Sequence, residues 1–191
     1  KIIVTPAHET VAMVRAMTPR LLRPLQREWQ GRQARAGVGD RRSIVRTLRS
    51  LDRAASRGED AQSIRASILG RPFHAADGKA LRRLFGEIYI DGEYAVELAT
   101  RAPTIVDGGA NVGLATLFFK LRYPEATVHA VEANPATFRF LEENVRGNAL
   151  SNVHLYSQAL SCEEGELELF VGGDAGGMRS SVRPERGGAV S

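Results

Sequence analysis

The stretch VDGGANVG, from Val106 to Gly113, combines three glycines with one carboxylate and one amide side chain. The apolar run TIV (104–106) leads into it, and LATLFFKL (114–121) follows with apolar residues at helical spacing. Open α/β sheets bind ligands at such a turn from a strand into a helix, where glycine lets the backbone approach a ligand closely. A plain turn would need one glycine rather than three. The stretch therefore predicts both the fold class and a binding site.

Strand and helix patterns alternate after this loop. We predict a helix over 111–122, a strand over TVHAVE (127–132), and a second helix that is capped by Asn134 and ends at Gly147. Pro135 suits the first turn of that second helix. A third strand, VHLYSQAL (153–160), follows. Strands that alternate with helices in this way pair in parallel, so we predict an α/β sheet with helices on its faces.

The residues after the third strand complete this sheet poorly. GELELFV (165–171) alternates and predicts a fourth strand, joined to the third by a hairpin through SCEEG (161–165). Residues 172–191 are rich in glycine and predict a mobile loop. Three parallel strands and one hairpin strand make a small core, so we expect the domain to continue past Ser191.

The chain before the glycine loop has a different character. Residues 1–80 hold 16 Lys/Arg and 7 Asp/Glu, a net charge of +9, whereas residues 81–191 carry a net charge of −5. We predict a basic, mainly helical N-terminal region over 1–80 and the N-terminal half of a cofactor-binding domain over 81–191.

Local patterns in this first part predict several short elements. We expect a helix from Asp40 to Gly58, a second over 61–68 with Ala61, Ile64 and Ile68 on one face, and a third capped by Asp77. A short strand over EIYI (87–90) and a short helix over GEYAVELATR (92–101) should follow.

Composition narrows the class of protein. Arginine supplies 23 of the 26 basic residues, and Trp29 is the only aromatic residue before Phe73. This pattern fits a compositional bias of the genome better than a nucleic-acid surface, so nucleic acid is not the expected partner. No apolar run approaches the roughly 20 residues of a membrane span. The single cysteine, Cys162, excludes an internal disulfide framework and suits a reducing, cytoplasmic compartment.

The charge of the loop discriminates between nucleotide cofactors. A dinucleotide loop reads G-x-G-x-x-G, and neither register of Gly108, Gly109 and Gly113 fits that spacing. Asp107 would also repel a pyrophosphate. S-adenosylmethionine carries a sulfonium and an ammonium but no phosphate, and therefore matches D-x-G-x-N-x-G better. Glu132, at the end of the second strand, can accept hydrogen bonds from ribose hydroxyls in either kind of site.

Around these residues the sequence resembles the FkbM family of S-adenosylmethionine-dependent methyltransferases. The resemblance covers roughly residues 85–183 and rests on the D-G-A-N-x-G type of loop, the E-x-N-P after the second strand, the N-x-x-x-N at the helix exit and the AL…EG turn. It implies a seven-stranded class I methyltransferase-like (Rossmann-like) fold. Together with the patterns above, the predicted fold is such a sheet with flanking helices, incomplete at the C-terminus and preceded by a helical N-terminal arm. The LLKIDVEG-like strand that usually follows is absent, and residues 1–80 match no pattern that we identify.

The resemblance also implies roles for individual residues. Asp107, Gly109, Asn111 and Gly113 would form the loop at the methionine end of the cofactor, and Glu132 would accept the ribose hydroxyls. Asn134 would lie near the adenine edge, with Gln158 as a further adenine-side candidate. The predicted cofactor-binding residues are therefore Asp107, Gly108, Gly109, Ala110, Asn111, Gly113, Glu132, Ala133, Asn134 and Gln158.

The resemblance further implies methylation of a hydroxyl group on a sugar, a glycolipid or a polyketide-like natural product, as part of biosynthesis. The acceptor partner would be a small molecule or a glycan. No catalytic base and no metal ligands can be named from the sequence, and homo-oligomerisation is left open. Three alternatives remain: an NAD(P)-dependent oxidoreductase, a nucleic-acid methyltransferase that uses the basic region, and a non-enzymatic interaction protein. The intact Asp107 and Glu132 argue against the last.

Overall fold

The computed structural model describes residues 38–56 and 63–160, together with the backbone of four short strands outside these ranges. The strands are β1 (Ile2–Thr5), β2 (Ala12–Val14), β3 (Ile64–Ile68), β4 (Arg71–Ala75), β5 (Thr104–Gly108), β6 (Thr127–Val131), β7 (Val153–Tyr156), β8 (Phe170–Val171) and β9 (Ser180–Ser181). The helices are α1 (Arg41–Ala55), α2 (Gly78–Phe85), α3 (Leu114–Arg122) and α4 (Pro135–Gly147), and a π-helical turn, Gly86–Ile90, continues α2.

The central sheet has the strand order β2-β1-β5-β6-β7. Strands β5, β6 and β7 are parallel, whereas β1 runs antiparallel to β5. The register places Gly108 beside Val131 and Val131 beside Tyr156, so the three carboxyl ends lie along one edge. The predicted α/β, Rossmann-like sheet with flanking helices is confirmed.

The predicted helix caps are also confirmed. The carboxylate of Asp40 accepts a hydrogen bond from the Ser43 amide at 2.6 Å, and that of Asp77 accepts one from the Lys79 amide at 2.7 Å. Asn134 caps α4, with Pro135 in its first turn. Since a capping side chain acts within a few residues of its own position, these helix starts could be recognised without tertiary information.

The predicted second helix, over 61–68, is wrong. Residues 64–68 form strand β3, in which Ile64, Ala66 and Ile68 are buried while Arg65 and Ser67 are exposed. A spacing of four places two residues on one face of a helix and equally on one face of a strand, so Ile64 and Ile68 fitted both periods. Ala61 lies outside the described residues.

Strand β3 is one of four strands in the described part of residues 1–80. In its described part the region contains α1, the start of α2 and the strands β1 to β4, so strands accompany the predicted helices. The boundaries 1–80 and 81–191 stay a prediction.

The short strand predicted over 87–90 and the helix over 92–101 are wrong as well. Residues 86–90 are the π-helical turn, and two tight turns follow in place of a helix, with Ala95 bonded to Gly92 and Val96 bonded to Tyr94. Neighbouring residues Ile88 and Tyr89 are both buried, which a strand with one covered face does not allow. The aromatic ring of Tyr89 stacks on Phe85 at 4.7 Å and meets Phe118 edge-on at 5.3 Å.

Only the end of the predicted fourth strand lies within the described residues. Residues 170–171 form β8, which is antiparallel to β9. The third strand itself ends at Tyr156. Residues 161–169 and most of the predicted loop over 172–191 lie outside the described residues.

One hydrophobic core joins the region before residue 80 to the sheet. Strand β3 of the hairpin packs against α1, and strand β4 packs against α4. Ile68 and Phe73 from the hairpin are buried in the same cluster as Leu51 from α1 and Ile105 from β5. The amphipathic elements of the N-terminal region therefore cover the domain that follows, as their apolar faces require.

Candidate functional site

The glycine loop follows β5 and is hydrogen-bonded to the end of the neighbouring parallel strand, β6. It runs from the end of β5 to the start of α3, and the amides of Gly109 and Ala110 both donate to the carbonyl of Val131, each at 2.9 Å. Val131 is the last residue of β6, so the loop is fastened to the adjacent strand rather than to its own. The amide of Gly113 closes the turn on the carbonyl of Ala110 at 2.9 Å.

Three loop residues have left-handed backbone conformations: Gly109 (φ 77°), Asn111 (φ 51°) and Gly113 (φ 87°). The two glycines serve different needs. A Cβ atom on Gly113 would lie 2.7 Å from Cδ1 of Leu141 on α4, so this glycine allows close packing of the loop on the helix. A Cβ atom on Gly109 would meet nothing within 4 Å, and Gly109 is exposed. Gly109 therefore leaves an open approach to the backbone.

Alanine at the two positions should separate packing from ligand access. We expect Gly109→Ala and Gly113→Ala each to lose about 1 kcal/mol of stability, because alanine disfavours this backbone region. Gly113→Ala should lose more, since the Leu141 side chain must move. Urea unfolding measures both costs. Equal stability of the two variants would contradict the packing role of Gly113.

Glu132 joins the two loops that surround the strand ends. The residue is 8% exposed; its Oε2 accepts the Asn111 amide at 2.9 Å and its Oε1 accepts the Asn134 amide at 2.8 Å. A carboxylate offers about four acceptor positions, so hydroxyl donors can still be received. Glu132 thus orients the glycine loop and the β6–α4 turn while keeping the capacity expected of a ribose acceptor.

Asp107 lies beneath the loop, on the buried face of β5. It is 2% exposed, and Oγ1 of Thr116 donates to its Oδ2 at 2.7 Å. Burial is the main cause that raises the pKa of this carboxyl to about 6; the nearby charge of Glu132 also raises it, whereas the hydrogen bond from Thr116 lowers it. The carboxylate braces the first turn of α3 through Thr116.

The remaining predicted residues have more varied positions. Asn134 is buried, and its side chain is engaged as the cap of α4, accepting the Ala136 amide at 2.9 Å. Ala133, between Glu132 and Asn134, is half-buried. Gln158 is exposed and lies two residues beyond the end of β7. The structure thus brings the glycine loop, Glu132 and the β6–α4 turn into direct contact.

Sequence reasoning missed Thr116. This residue is fully buried and holds Asp107 from a position nine residues further along the chain. Its signal was an uncharged polar residue within the mostly apolar LATLFFKL, one turn after the glycine loop. A buried hydroxyl there needed a partner, and Asp107 is that partner.

His129 and His154 lie opposite each other on the neighbouring parallel strands β6 and β7. Their rings stack at 5.0 Å, and Nδ1 of His129 lies 3.0 Å from the hydroxyl of Tyr156. Burial lowers the pKa of His129, and so does the neighbouring His154. Across residues 38–56 and 63–160, no group of three or more His, Cys, Asp or Glu side chains is placed to hold a metal ion.

Nor does any helix in the described ranges have the length and apolarity needed to cross a bilayer.

Comparison with known proteins points to methyl transfer. No family model matches the chain. The chain is 37% identical over 83 residues to methyltransferase 1 of Beauveria bassiana, covering 44% of this chain and 33% of that protein. It is 38% identical over 87 residues to methyltransferase sdnD of Sordaria araneosa, covering 45% and 34%.

A bacterial enzyme shares a similar stretch. Cobalt-precorrin-6B C(15)-methyltransferase (decarboxylating) of Salmonella typhimurium is 31% identical over 84 residues, covering 43% of this chain and 44% of that enzyme. The matches span about a third of the length of the two fungal relatives. The similarity therefore supports a methyltransferase.

Proposed function

We propose that the protein is an S-adenosylmethionine-dependent methyltransferase of the FkbM type, which methylates a hydroxyl group on a sugar, a glycolipid or a polyketide-like natural product. The observation that carries the proposal is the contact between the glycine loop and Glu132 at the carboxyl ends of β5 and β6. The Asn111 amide bonds to Glu132 at 2.9 Å, so the loop backbone and a ribose-type acceptor face the same space.

The residues present fit this cofactor. Gly109 leaves the loop backbone open to a ligand, because nothing lies within 4 Å of the position of its missing Cβ. Glu132 retains acceptor capacity for two ribose hydroxyls. Asp107 and Glu132 give the site a negative character that suits a cationic methionine end and opposes a pyrophosphate.

When bound, S-adenosylmethionine supplies a methyl group on a sulfonium, which is already an activated leaving group. The contribution of the chain would therefore be mainly alignment: Glu132 would hold the ribose end, and the loop over 109–113 would hold the methionine end. The acceptor type and the restriction to oxygen rest on the FkbM resemblance of residues 85–183.

An NAD(P)-dependent oxidoreductase is the alternative that the Glu132 position alone would allow. The loop opposes it, because one register of G-x-G-x-x-G puts Ala110 at a glycine position and the other puts the buried Asp107 there. A nucleic-acid methyltransferase has no comparable support.

Calorimetric titration of the full-length protein tests the proposal. S-adenosylhomocysteine should bind, and NADH should not. Gly109→Ala should weaken S-adenosylhomocysteine, because the added methyl group occupies the open approach, whereas exposed Glu142→Ala on α4 should not. Tight binding of NADH, or no binding of S-adenosylhomocysteine, would overturn the assignment.

A further inference from the structure

Asn144 on α4 connects the β3–β4 hairpin with the glycine loop. The residue is 3% exposed, and its three side-chain amide bonds within the described residues go to backbone atoms. Its Oδ1 accepts the His74 amide at 2.7 Å, while its Nδ2 donates to the His74 carbonyl and to the Val112 carbonyl, both at 2.8 Å. Only this orientation of the amide satisfies all three partners, since one is a donor and two are acceptors.

The second asparagine of N-x-x-x-N, Asn148, bonds to the hairpin and to its own helix. Nδ2 of Asn148 donates to the Pro72 carbonyl at 2.9 Å and to the carbonyl of Asn144 at 2.8 Å. Residues four apart share one face of a helix, and residues 72 and 74 face one edge of strand β4. The two side chains therefore cover the outer edge of the hairpin, and within the described residues only Asn144 of the two also bonds to the loop.

We propose that Asn144 is a positioning residue for the glycine loop, through which the β3–β4 hairpin holds the cofactor site in its binding conformation. The carbonyl of Val112 lies between Asn111, which bonds to Glu132, and Gly113, which packs on Leu141. Fixing that carbonyl keeps the loop in one conformation. Ligand binding then does not have to include the free-energy cost of ordering the loop. This inference rests on the proposed function for its ligand.

Asn148 offers a matched control, because it binds the same strand edge without reaching the loop. In the ligand-free full-length protein, hydrogen exchange at the amides of residues 111–113 should be faster in Asn144→Ala than in Asn148→Ala. Both variants should lose stability. Equal loop exchange in the two variants would overturn the proposal, whether or not a ligand is known.

Affinity provides the second measurement. We expect Asn144→Ala to weaken S-adenosylhomocysteine by about fivefold, the equivalent of one hydrogen bond, and Asn148→Ala by less than about twofold. Equal weakening by both would reduce Asn144 to a structural residue. If S-adenosylhomocysteine fails to bind the unaltered protein, the proposed function fails, while the exchange comparison still decides the role of Asn144.

The unaltered protein gives a test that does not depend on the variants folding. Binding of S-adenosylhomocysteine should slow exchange of the His74 amide, which lies in the hairpin and bonds to Asn144. Slower exchange in the loop without any change at His74 would contradict the connection.

Discussion

Glu132→Ala is expected to weaken S-adenosylhomocysteine by about 1.5–3 kcal/mol, the range for hydrogen bonds to a charged group. This corresponds to roughly 10- to 150-fold in the dissociation constant. The variant loses the proposed ribose acceptor and leaves the Asn111 and Asn134 amides without their carboxylate partner. Calorimetry measures the change, with circular dichroism to establish that the fold is intact.

A ligand without ribose hydroxyls separates the two roles of Glu132. If Glu132 contacts the ribose, the affinity lost through Glu132→Ala should be smaller for a 2′,3′-dideoxy analogue of S-adenosylhomocysteine. That analogue already lacks the hydroxyl groups that Glu132 would bind, so both changes remove the same hydrogen bonds. A loss of the same size for both ligands would mean that Glu132 acts only by orienting the loops. Unchanged affinity for both would remove Glu132 from the site.

Asp107→Asn is expected to lower the affinity for S-adenosylmethionine about tenfold or more, or about 1.4 kcal/mol. The substitution keeps the size and one acceptor oxygen for Thr116 but removes the negative charge. Near-equal affinity in calorimetry would show that Asp107 only braces the turn. A gain of NADH binding would return the oxidoreductase alternative.

The same substitution should change how stability depends on pH. The pKa of Asp107 is raised in the folded state, from 3.8 to about 6. Below pH 4 the carboxyl is protonated in both states; between pH 4 and 6 only the unfolded state releases its proton, so the stability of the unaltered protein falls as pH rises. The free energy of unfolding of the variant, relative to the unaltered protein, should rise by on the order of 2–3 kcal/mol between pH 4 and pH 7.

Urea unfolding at several pH values measures this difference. Any cost of placing an asparagine amide near Thr116 is independent of pH and cancels in the comparison. A pH-independent difference would mean that Asp107 titrates normally. We therefore expect Asp107→Asn to lose ligand affinity while its free energy of unfolding no longer falls between pH 4 and pH 7. Both results together would show that the charge of Asp107 favours binding and lowers stability.

The sequence by itself determined those elements that are stabilised by residues close to them along the chain. Asn134 caps α4 with its own side chain, and Pro135 suits the first turn, so the start of that helix needed no distant partner. The glycine loop after β5 was predictable for the same reason, because its left-handed conformations at Gly109 and Gly113 favour glycine.

The wrong predictions concern residues whose spacing was compatible with two structures. Ile64 and Ile68 fit a helix and a strand equally, and pairing with β4 decided for the strand. Tyr89 sits in a π-helical turn because Phe85 and Phe118 enclose its ring, which no pattern over 87–90 could reveal.

The candidate site divides in the same way. Asp107, Glu132 and the loop glycines follow from the sequence, since each ends a strand or occupies a turn that restricts residue type. Thr116 under Asp107, and the bonds from Asn144 to both His74 and Val112, depend on contacts between residues 9 to 70 positions apart. Such contacts form only when helices and strands pack together, because burial then forces each polar group to find a partner that the local chain does not supply.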